Sequence, residues 1–239
     1  MILTPRKATF LRWHRLSRIS YSVLRALEYE AIQGLRLQGK TLDIGGGKNT
    51  SYLHLLKIQG TLHSINLGQS TGPSIRADAN HALPIRSCSY DNILSLNTIE
   101  HLKNDVPLLK EMHRVLDKSG RLYIIVPFLY RVHGSPADYH RHTASWWEEM
   151  LSEIGFSDVV IDPLVWDPRV SGFSISELAY RQYLPWLRVW HALKRRFLFL
   201  RSTFSHLRYR GKRLPDSYRV YLEYALGYWI QARKAGESR

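Results

Sequence analysis

The most constraining feature of this chain is the run Thr41–Thr50, in which an apolar segment carrying Asp43 leads into three glycines and then a polar stretch. Glycine lets the backbone turn sharply and lets another group approach the main chain closely. A strand, a glycine turn and a helix start in this order are typical of the ligand edge of a doubly wound parallel sheet. The run therefore predicts an α/β fold with a binding site at the carboxyl end of its first strand.

Apolar runs and helical periodicities alternate through the middle of the chain, which favours parallel strands joined by crossover connections. The predicted strands are Lys40–Ile44, Thr61–Leu67, Ser74–Ala77, Tyr90–Leu96, Arg121–Val126 and Phe156–Ile161. The predicted helices run from Thr50 or Ser51 to Gly60, over Asp105–Leu116, and over Thr143–Ile154 with Thr143 as its cap and Gly155 as its stop.

Three segments follow from this pattern and from the composition. Residues 1–39 form a basic N-terminal helical segment, residues 40–163 form the core, and residues 164–239 form a basic aromatic C-terminal extension. Residues 164–180 carry few periodic cues, whereas Val220–Gln231 predicts a final amphipathic helix.

Positive charge belongs to the flanks rather than to the core. The whole chain carries a net charge of +14, yet residues 41–163 hold 11 basic and 13 acidic residues, a balance of 11 − 13 = −2. Basic residues interleaved with aromatic ones favour contact with an anionic membrane surface or an anionic substrate. The alternative is that the flanks cover the sheet, with arginine stems lying over apolar surface.

The single cysteine, Cys88, excludes an intrachain disulfide and fits a reducing compartment. No apolar run approaches the roughly 20 residues that span a bilayer, and no apolar stretch follows the basic N-terminus as in a signal peptide. We therefore expect a cytoplasmic protein, with peripheral contact at the inner membrane as a further expectation.

An ordered set of short motifs between about residues 40 and 161 resembles the class I S-adenosylmethionine (SAM)-dependent methyltransferases of the methyltransferase-11-like group. The set consists of Leu42–Gly47, Ala77–Ala79, Leu83–Pro84, Ser89–Ile93, Asn97–Leu102 and Glu111–Leu122. The resemblance implies a Rossmann-like, mostly parallel, seven-stranded-type sheet with helical additions at both ends, and SAM as the cofactor.

The resemblance also assigns cofactor-binding roles, to Asp43, Gly45, Gly47, Asn66, Asp78, Ala79, Asn97 and His101. The glycines would approach the amino-acid part of SAM, Asp78 and Ala79 would bind adenine, and Asn97 would lie beside the sulfonium. Asp43 can equally act as a clamp on the loop, Asp78 can be a turn residue, and His101 is interpreted as a structural neighbour of the cofactor rather than as a base.

One position departs from the family pattern. Family members usually carry an acid at the end of the second strand, where it accepts hydrogen bonds from the ribose, but Asn66 stands here. An amide can make only one such bond as an acceptor and offers a second as a donor. The missing acid also argues against a nicotinamide dehydrogenase, as does Thr50 in the place of a third glycine.

The loop after the fifth predicted strand is rich in histidine, tyrosine and arginine, and resembles that of methyltransferases of bacterial surface-polysaccharide pathways. A sugar hydroxyl needs a general base, for which histidine is suited. The predicted catalytic residues are His133, then His140, with Asp138 orienting the base; the predicted substrate-binding residues are Tyr130, Arg131, Tyr139 and Arg141. Alternatively, Asp138 and Tyr139 form a structural turn, Arg141 pairs with a structural carboxylate and His142 only precedes a helix.

The sequence thus predicts a methyltransferase that O-methylates a sugar of a surface or lipid-linked glycan, with a polar or anionic acceptor. Alternatives are a methyltransferase of a quinone or polyketide-like small molecule, an RNA methyltransferase, and a binding protein that keeps only the fold. Asn97-Thr98-Ile99-Glu100 stands where an Asn-Pro-Pro-Tyr-like motif would favour nucleic acid, so RNA is disfavoured. No ligand spacing is diagnostic of a metal, and none is assigned.

Overall fold

The computed structural model describes residues 22–134, 137–166, 168–181, 190, 193–194, 196–198, 200–201 and 223–236. The chain divides into two compact units. One unit contains Met1–Glu30, Leu129–Arg131 and Pro163–Gly227, and the other contains Ala31–Phe128, Val132–Asp162 and Tyr228–Arg239. The predicted segment boundaries after residues 39 and 163 stay predictions.

A seven-stranded sheet dominates the second unit and confirms the predicted Rossmann-like class. Its strands are β1 Arg36–Ile44, β2 Lys57–Asn66, β3 Ile75–Arg76, β4 Tyr90–Leu96, β5 Leu116–Pro127, β6 Phe156–Leu164 and β7 Gly227–Lys234. Their spatial order is β3-β2-β1-β4-β5-β7-β6. The ladders that join β3, β2, β1, β4 and β5 are all parallel, so these strands end at one common edge.

Strand burial explains the strongly apolar runs. In β4 all residues but Asp91 are buried, and β5 is buried from Leu122 to Pro127. Central parallel strands are covered on both faces, so they carry continuous rather than alternating apolar residues. Thr41 and Asp43 are also fully buried, because the end of β1 lies between β2 and β4.

Four helices are described: α1 Val23–Ile32, α2 Asp105–Val115, α3 Ala144–Ile154 and α4 Pro168–Arg181. The predicted start and stop of α3 are confirmed. Thr143 caps it by accepting a hydrogen bond from the Trp146 amide, and Gly155 ends it with a left-handed φ of 105°. Two single 3₁₀ turns, Leu53–Leu55 and Ile99–His101, follow β1 and β4.

The helix predicted from Thr50 to Gly60 is wrong. Only the 3₁₀ turn Leu53–Leu55 forms, and β2 already begins at Lys57. The backbone of this segment bonds instead to the residues just before β1. The Leu55 carbonyl accepts from the Gly34 amide, and the Lys57 amide donates to the Leu35 carbonyl. These bonds align β2 with a longer β1 in parallel register from Arg36–Lys57 onward, which outweighs local helix propensity.

The predicted C-terminal helix Val220–Gln231 is also wrong where the chain is described, because Gly227–Gln231 belongs to β7. β7 lies between β5 and β6, and its first four residues are buried. A short apolar run buried on both faces cannot be told from a buried helix by periodicity alone. Conversely, residues 168–181, which showed few periodic cues, form α4.

The motif around Glu111 acts as a structural clamp. Glu111 accepts a hydrogen bond from the Leu83 amide and binds Arg114 through two bonds of 2.7 Å. Arg114 in turn donates to the backbone carbonyls of Leu83 and Ile85. The pair therefore anchors the long connection before β4 to helix α2.

The first unit contains most of α1, helix α4 and further helical residues between 190 and 201. Glu28 is buried within α1 and pairs with Arg25 at 3.1 Å. In the described part of the chain, no helix is both long enough and apolar enough to pass through a bilayer. Arg12, Arg15 and Arg18, which belong to the predicted basic N-terminal helical segment, lie outside the described residues.

Candidate active site

The carboxyl ends of β1 and β4 lie side by side and carry the predicted cofactor residues. Ile44 of β1 is in register with Ser95 of β4, so the glycine turn after β1 faces the segment that begins at Asn97. Gly45 has a left-handed φ of 88°, and its amide donates to the Ile65 carbonyl. The turn therefore needs glycine at Gly45 for its backbone conformation.

Asp43 lies beneath the glycine turn and is fully buried. The Tyr52 hydroxyl donates to Asp43 Oδ2 over 2.6 Å. No described residue donates a hydrogen bond to Asp43 Oδ1, which is also buried. Burial raises the pKa of this carboxyl from 3.8 to about 7, although the Tyr52 bond acts in the opposite direction. The site thus holds a carboxylate with one unsatisfied oxygen that a cation would stabilise.

The glycines of the turn are packed tightly against neighbouring groups. A Cβ atom at Gly45 would lie 1.9 Å from Thr98 Oγ1, and one at Gly47 would lie 2.3 Å from the Thr71 carbonyl oxygen. The Lys48 and Asn49 amides donate to the carbonyls of Gly72 and Thr71. The amides after the turn are thus bonded to the segment between β2 and β3.

Asn66, at the end of β2, holds the glycine turn. Its Nδ2 donates to the Gly45 carbonyl over 2.6 Å, and its Oδ1 accepts from the Gly68 amide over 3.2 Å. An acid at this position could not donate to the Gly45 carbonyl. The amide therefore has a local structural use, and its predicted bond to a ribose stays a prediction.

Asp78 lies in a tight turn after β3. Its Oδ1 accepts from both the backbone and the side-chain amide of Asn80, each over 2.9 Å, and these bonds lower the pKa of the carboxyl. Oδ2 faces His81 at 4.0 Å. Asp78 therefore stays ionised at neutral pH, as an acceptor for an adenine amino group requires. Ala79 lies within the same turn, and its predicted role stays a prediction.

Asn97 directly follows β4 and adopts a left-handed backbone conformation with φ of 53°. Its amide donates to the Ile125 carbonyl of β5. Within the described part of the chain, its buried Nδ2 atom has no hydrogen-bond partner. Backbone strain of this kind clusters at ligand sites, and the predicted place of Asn97 beside the cofactor stays a prediction.

Three residues of the loop after β5 form one connected group. Asp138 Oδ2 accepts from the His133 amide at 2.8 Å and lies 3.2 Å from His133 Nδ1. Arg141 binds both oxygens of Asp138, with distances of 2.5 and 2.6 Å. Burial tends to raise the pKa of Asp138, but the Arg141 and His133 bonds outweigh it and lower the pKa to about 2. Arg141 therefore pairs with a carboxylate of its own loop, as in the predicted alternative.

His101 lies next to this group. Its Nδ1 is 2.5 Å from the Ala137 carbonyl oxygen, and its ring meets the His133 ring edge-on at a centroid distance of 5.2 Å. Its Nε2 lies 3.8 Å from Glu100 Oε1, a carboxylate that is almost fully buried. His101 therefore connects the segment after β4 to the histidine-rich loop, and its predicted position as a structural neighbour of the cofactor stays a prediction.

The remaining predicted residues lie further along the loop or outside this unit. His140 Nε2 is 3.1 Å from the Lys103 carbonyl oxygen, and the Tyr139 side chain is exposed. His142, which the sequence placed only at a helix start, bonds Asp105 at the N-terminus of α2. Tyr130 and Arg131 belong to the other compact unit.

A cleft of about 430 Å³ opens at the opposite edge of the sheet. It is lined by residues at the amino ends of β1, β4 and β5, namely Arg36, Gln38, Asp91, Asn92, Lys118, Ser119, Gly120 and Arg121. Ligands of open α/β sheets bind at the carboxyl ends of the strands. This cleft is therefore not the cofactor site.

The sequence missed two residues of the site. Tyr52, the partner of Asp43, lies in the segment predicted as a helix, which does not form. Thr98, which bonds the Ile44 carbonyl next to Gly45, lies in the Asn97–Leu102 motif but has no predicted role. A tyrosine nine residues after a buried acid has no periodic relation to it. Only the turn that returns the chain over β1 brings the two together.

Comparison with known proteins agrees with this geometry. Residues 42–124 match the family model Methyltransf_11, described as a methyltransferase domain. The matched segment runs from the end of β1 into β5 and contains the glycine turn, Asp78 and Asn97. This part of the chain is therefore similar to a methyltransferase domain, for which the predicted cofactor is SAM. No curated protein matches the chain.

Solved structures show the same fold at low sequence identity. The [4+2]-cyclase SpnF is 18% identical with a TM-score of 0.56, covering 92% of this chain and 85% of its own. A possible histamine N-methyltransferase from Thermotoga maritima is 14% identical with a TM-score of 0.51, and 94% of each chain is covered. Haemonchus contortus phosphoethanolamine N-methyltransferase 2, solved with S-adenosylhomocysteine, is 14% identical with a TM-score of 0.51. The match covers 94% of this chain but only 56% of that enzyme.

The residues present fit the cofactor. Asp43 Oδ1 and Asn97 Nδ2 are buried polar atoms that no described residue satisfies. They lie at the ends of neighbouring strands, β1 and β4, and these ends flank the glycine turn. The first suits an ammonium group and the second suits a carboxylate or hydroxyl oxygen. Asp43, Asn97 and the turn would hold the amino-acid part of SAM, and Asp78 would hold the adenine.

Proposed function

We propose that this protein transfers a methyl group from SAM to a hydroxyl of a sugar in a polar or anionic glycan, with His133 as general base. The group formed by His133, Asp138 and Arg141 carries the proposal. It occupies the loop after β5, at the carboxyl edge of the sheet where an acceptor would lie.

The geometry of this group suits proton abstraction. Asp138 faces His133 Nδ1 and Arg141 holds the carboxylate in place, so the lone pair that accepts a proton lies on Nε2. When bound, SAM supplies an electrophilic methyl group on a sulfonium. Transfer to the acceptor oxygen would break the carbon–sulfur bond and release neutral S-adenosylhomocysteine, while His133 takes the hydroxyl proton and Asp138 stabilises the resulting imidazolium. Asp138 stays ionised throughout, since its pKa is lowered to about 2.

Of the two histidines that the sequence offered as bases, His133 is the better candidate. His133 has a carboxylate at its Nδ1, whereas His140 Nε2 faces the Lys103 backbone carbonyl, and the carboxylate grouped with His140, that of Asp105, bonds His142. A neutral carbonyl orients an imidazole but stabilises an imidazolium less than a carboxylate does. We therefore assign the base to His133 alone.

The choice of a glycan acceptor is supported by the polar character of this loop and by its resemblance to enzymes of surface-polysaccharide pathways. Tyr139 is exposed and can stack on a sugar face. Because Arg141 is bound to Asp138 through both oxygens, the proposal gives it no role at an anionic acceptor.

The test is methyl transfer from labelled SAM to a panel of glycans, with a quinone and an RNA as comparison acceptors. His133→Ala should lower kcat by about 10²–10⁴-fold, the usual contribution of a general base, without weakening SAM binding. His54→Ala, an exposed histidine on the turn before β2, serves as the matched control.

Full turnover by His133→Ala would refute the base assignment. Transfer to the quinone or RNA, but to none of the glycans, would refute the acceptor class. Absence of calorimetric SAM binding by the wild-type protein would refute catalysis altogether.

We further infer that the basic aromatic C-terminal extension contacts an anionic membrane surface, where lipid-linked glycans reside. Trp190, Leu193 and Phe197 are each more than half exposed, at spacings of three and four residues. Residues so spaced share one face of a helix. Lys194 lies 5.5 Å from the Trp190 ring, so a cation borders the apolar face. This combination supports interfacial binding.

A further inference from the structure

We propose that Asp105, His140 and His142 bind a divalent transition-metal ion, with Zn²⁺ as the best match. This proposal concerns a different side-chain group from His133, Asp138 and Arg141, and it does not rest on the proposed methyl transfer. One carboxylate oxygen and one nitrogen from each imidazole lie within 4.8 Å of one another.

The two histidines come from a His-x-His pair in an extended segment. Residues 140–142 belong to no helix, and side chains two positions apart in extended chain share a face. The two rings are nearly parallel, at 16°, with centroids 5.1 Å apart. Asp105 approaches this face from the first turn of α2. The ligands therefore come from two elements that the chain brings together only after folding.

The distances need small adjustments to hold an ion. Bonds of about 2.0–2.1 Å in tetrahedral geometry place ligand atoms roughly 3.3 Å apart. His142 Nε2 is 2.5 Å from Asp105 Oδ2, so this pair would open by less than an ångström. The remaining separations, at most 4.8 Å, would close by about 1.5 Å or less. A water molecule would complete the four-coordinate shell.

Surrounding contacts already orient the ligands. The Lys103 carbonyl accepts from His140 Nε2–H over 3.1 Å, which selects the tautomer with its lone pair on Nδ1. The His142 ring stacks on Trp146 at 3.5 Å and meets Trp147 edge-on. A backbone carbonyl behind a ligating imidazole is the usual support of a metal site.

A second group of one carboxylate and two imidazoles, Glu100, His101 and His133, is not proposed as a metal site. His133 Nδ1 faces Asp138, and His101 Nδ1 faces the Ala137 carbonyl. The proposed function uses His133 as a base, which a bound cation would prevent. A metal at Asp105, His140 and His142 has no such conflict. Such an ion would link the loop after β5 to α2. Its two histidine ligands come directly before and after Arg141, the residue that binds Asp138.

The test uses the full chain, stripped with a chelator and dialysed, and then titrated with Zn²⁺ alone by calorimetry. We expect one equivalent bound at micromolar or lower Kd, and a visible ligand-field spectrum typical of tetrahedral Co²⁺ when Co²⁺ replaces it. His140→Ala and Asp105→Asn should each weaken Zn²⁺ binding at least tenfold. His54→Ala, an exposed histidine far along the chain, should not.

Thermal unfolding gives a second readout that does not depend on activity. Zn²⁺ should raise the Tm of the wild-type protein by several degrees, because it binds the folded state, and should not raise that of His140→Ala. His140 is partly exposed, so its truncation should leave a folded protein for this comparison. Three results would overturn the proposal: no saturable binding, binding only in several weak equivalents, or binding that survives His140→Ala but is lost in His133→Ala.

Discussion

At the scale of single residues, the site depends on polar groups that the fold leaves unsatisfied. Asp43 is buried with only one of its oxygens bonded by a described residue, and Asn97 is held in a left-handed conformation with its buried Nδ2 atom unbonded among the described residues. Both features cost stability in the free protein. A cationic amino acid bound at the glycine turn would recover part of that cost, which is how a small cofactor can stabilise this edge of the sheet.

Asp43→Asn should change how stability depends on pH. The folded-state pKa of Asp43, about 7, lies above its unfolded value of 3.8, so the folded state binds the extra proton between these values. This group's contribution is thus fully present below about pH 4 and is lost as pH rises toward 7. Between pH 4.5 and 7.5, the wild type should lose about 3 kcal/mol of unfolding free energy relative to Asp43→Asn.

Urea unfolding of both proteins without cofactor, at the two pH values, measures this difference. Asp91→Asn, which changes an exposed carboxylate at the amino end of β4, controls for a general effect of removing charge. If the difference in unfolding free energy between the wild type and Asp43→Asn does not change with pH, folding does not raise the pKa of Asp43.

At the scale of elements, β7 is the least expected part of the fold. It lies between β5 and β6, so the C-terminal residues complete the interior of the sheet rather than covering it. Trp229 of β7 is almost fully buried and stacks on Tyr123 of β5, with ring centroids 5.7 Å apart. The neighbouring strands β5 and β7 therefore bring together residues more than 100 positions apart in the sequence.

Trp229→Ala should lower the unfolding free energy by about 3–5 kcal/mol, as expected for a large buried aromatic side chain. Arg233→Ala, in the same strand but about half exposed and 3.9 Å from Asp158, should change it by no more than about 0.5 kcal/mol. Chemical denaturation with tryptophan-independent detection, such as far-UV circular dichroism, compares the two. Similar small losses in both variants would contradict a central position for β7.

At the scale of the whole molecule, the excess positive charge and one exposed apolar face belong to different parts of the chain from the chemistry. The net charge is +14, but residues 41–163 contribute 11 − 13 = −2. The exposed face of Trp190, Leu193 and Phe197 belongs to the C-terminal extension. This separation is consistent with one part of the chain that binds a surface and another that binds the cofactor.

Co-sedimentation with anionic liposomes should therefore depend on both charge and the apolar face. We expect binding at low salt that decreases at high salt, because the charges are screened. Trp190→Ser combined with Phe197→Ser should reduce binding several-fold. Leu67→Ser, which removes an exposed apolar side chain after β2, should not. Absence of binding at low salt, or equal binding to neutral liposomes, would contradict the proposal.

The local order of strands and the cofactor edge followed from the sequence alone. β4 and the stop of α3 have their predicted bounds, since a run of apolar residues ending in a polar one and a left-handed Gly155 are local signals. The glycine turn after Asp43 was predicted for the same reason. Backbone conformation at these positions depends on the residues themselves, so no distant contact was needed.

Only the tertiary structure decided the rest. Pairing with β1 turned the predicted helix after Thr50 into a turn and a strand, and burial between β5 and β6 turned a predicted helix into β7. Likewise, the meeting of His142 with Asp105, and of Tyr52 with Asp43, depends on chain crossings that no periodicity encodes. Apolar burial and long-range hydrogen bonds contribute more free energy than local propensity, so where the two disagree, the sheet determines the conformation.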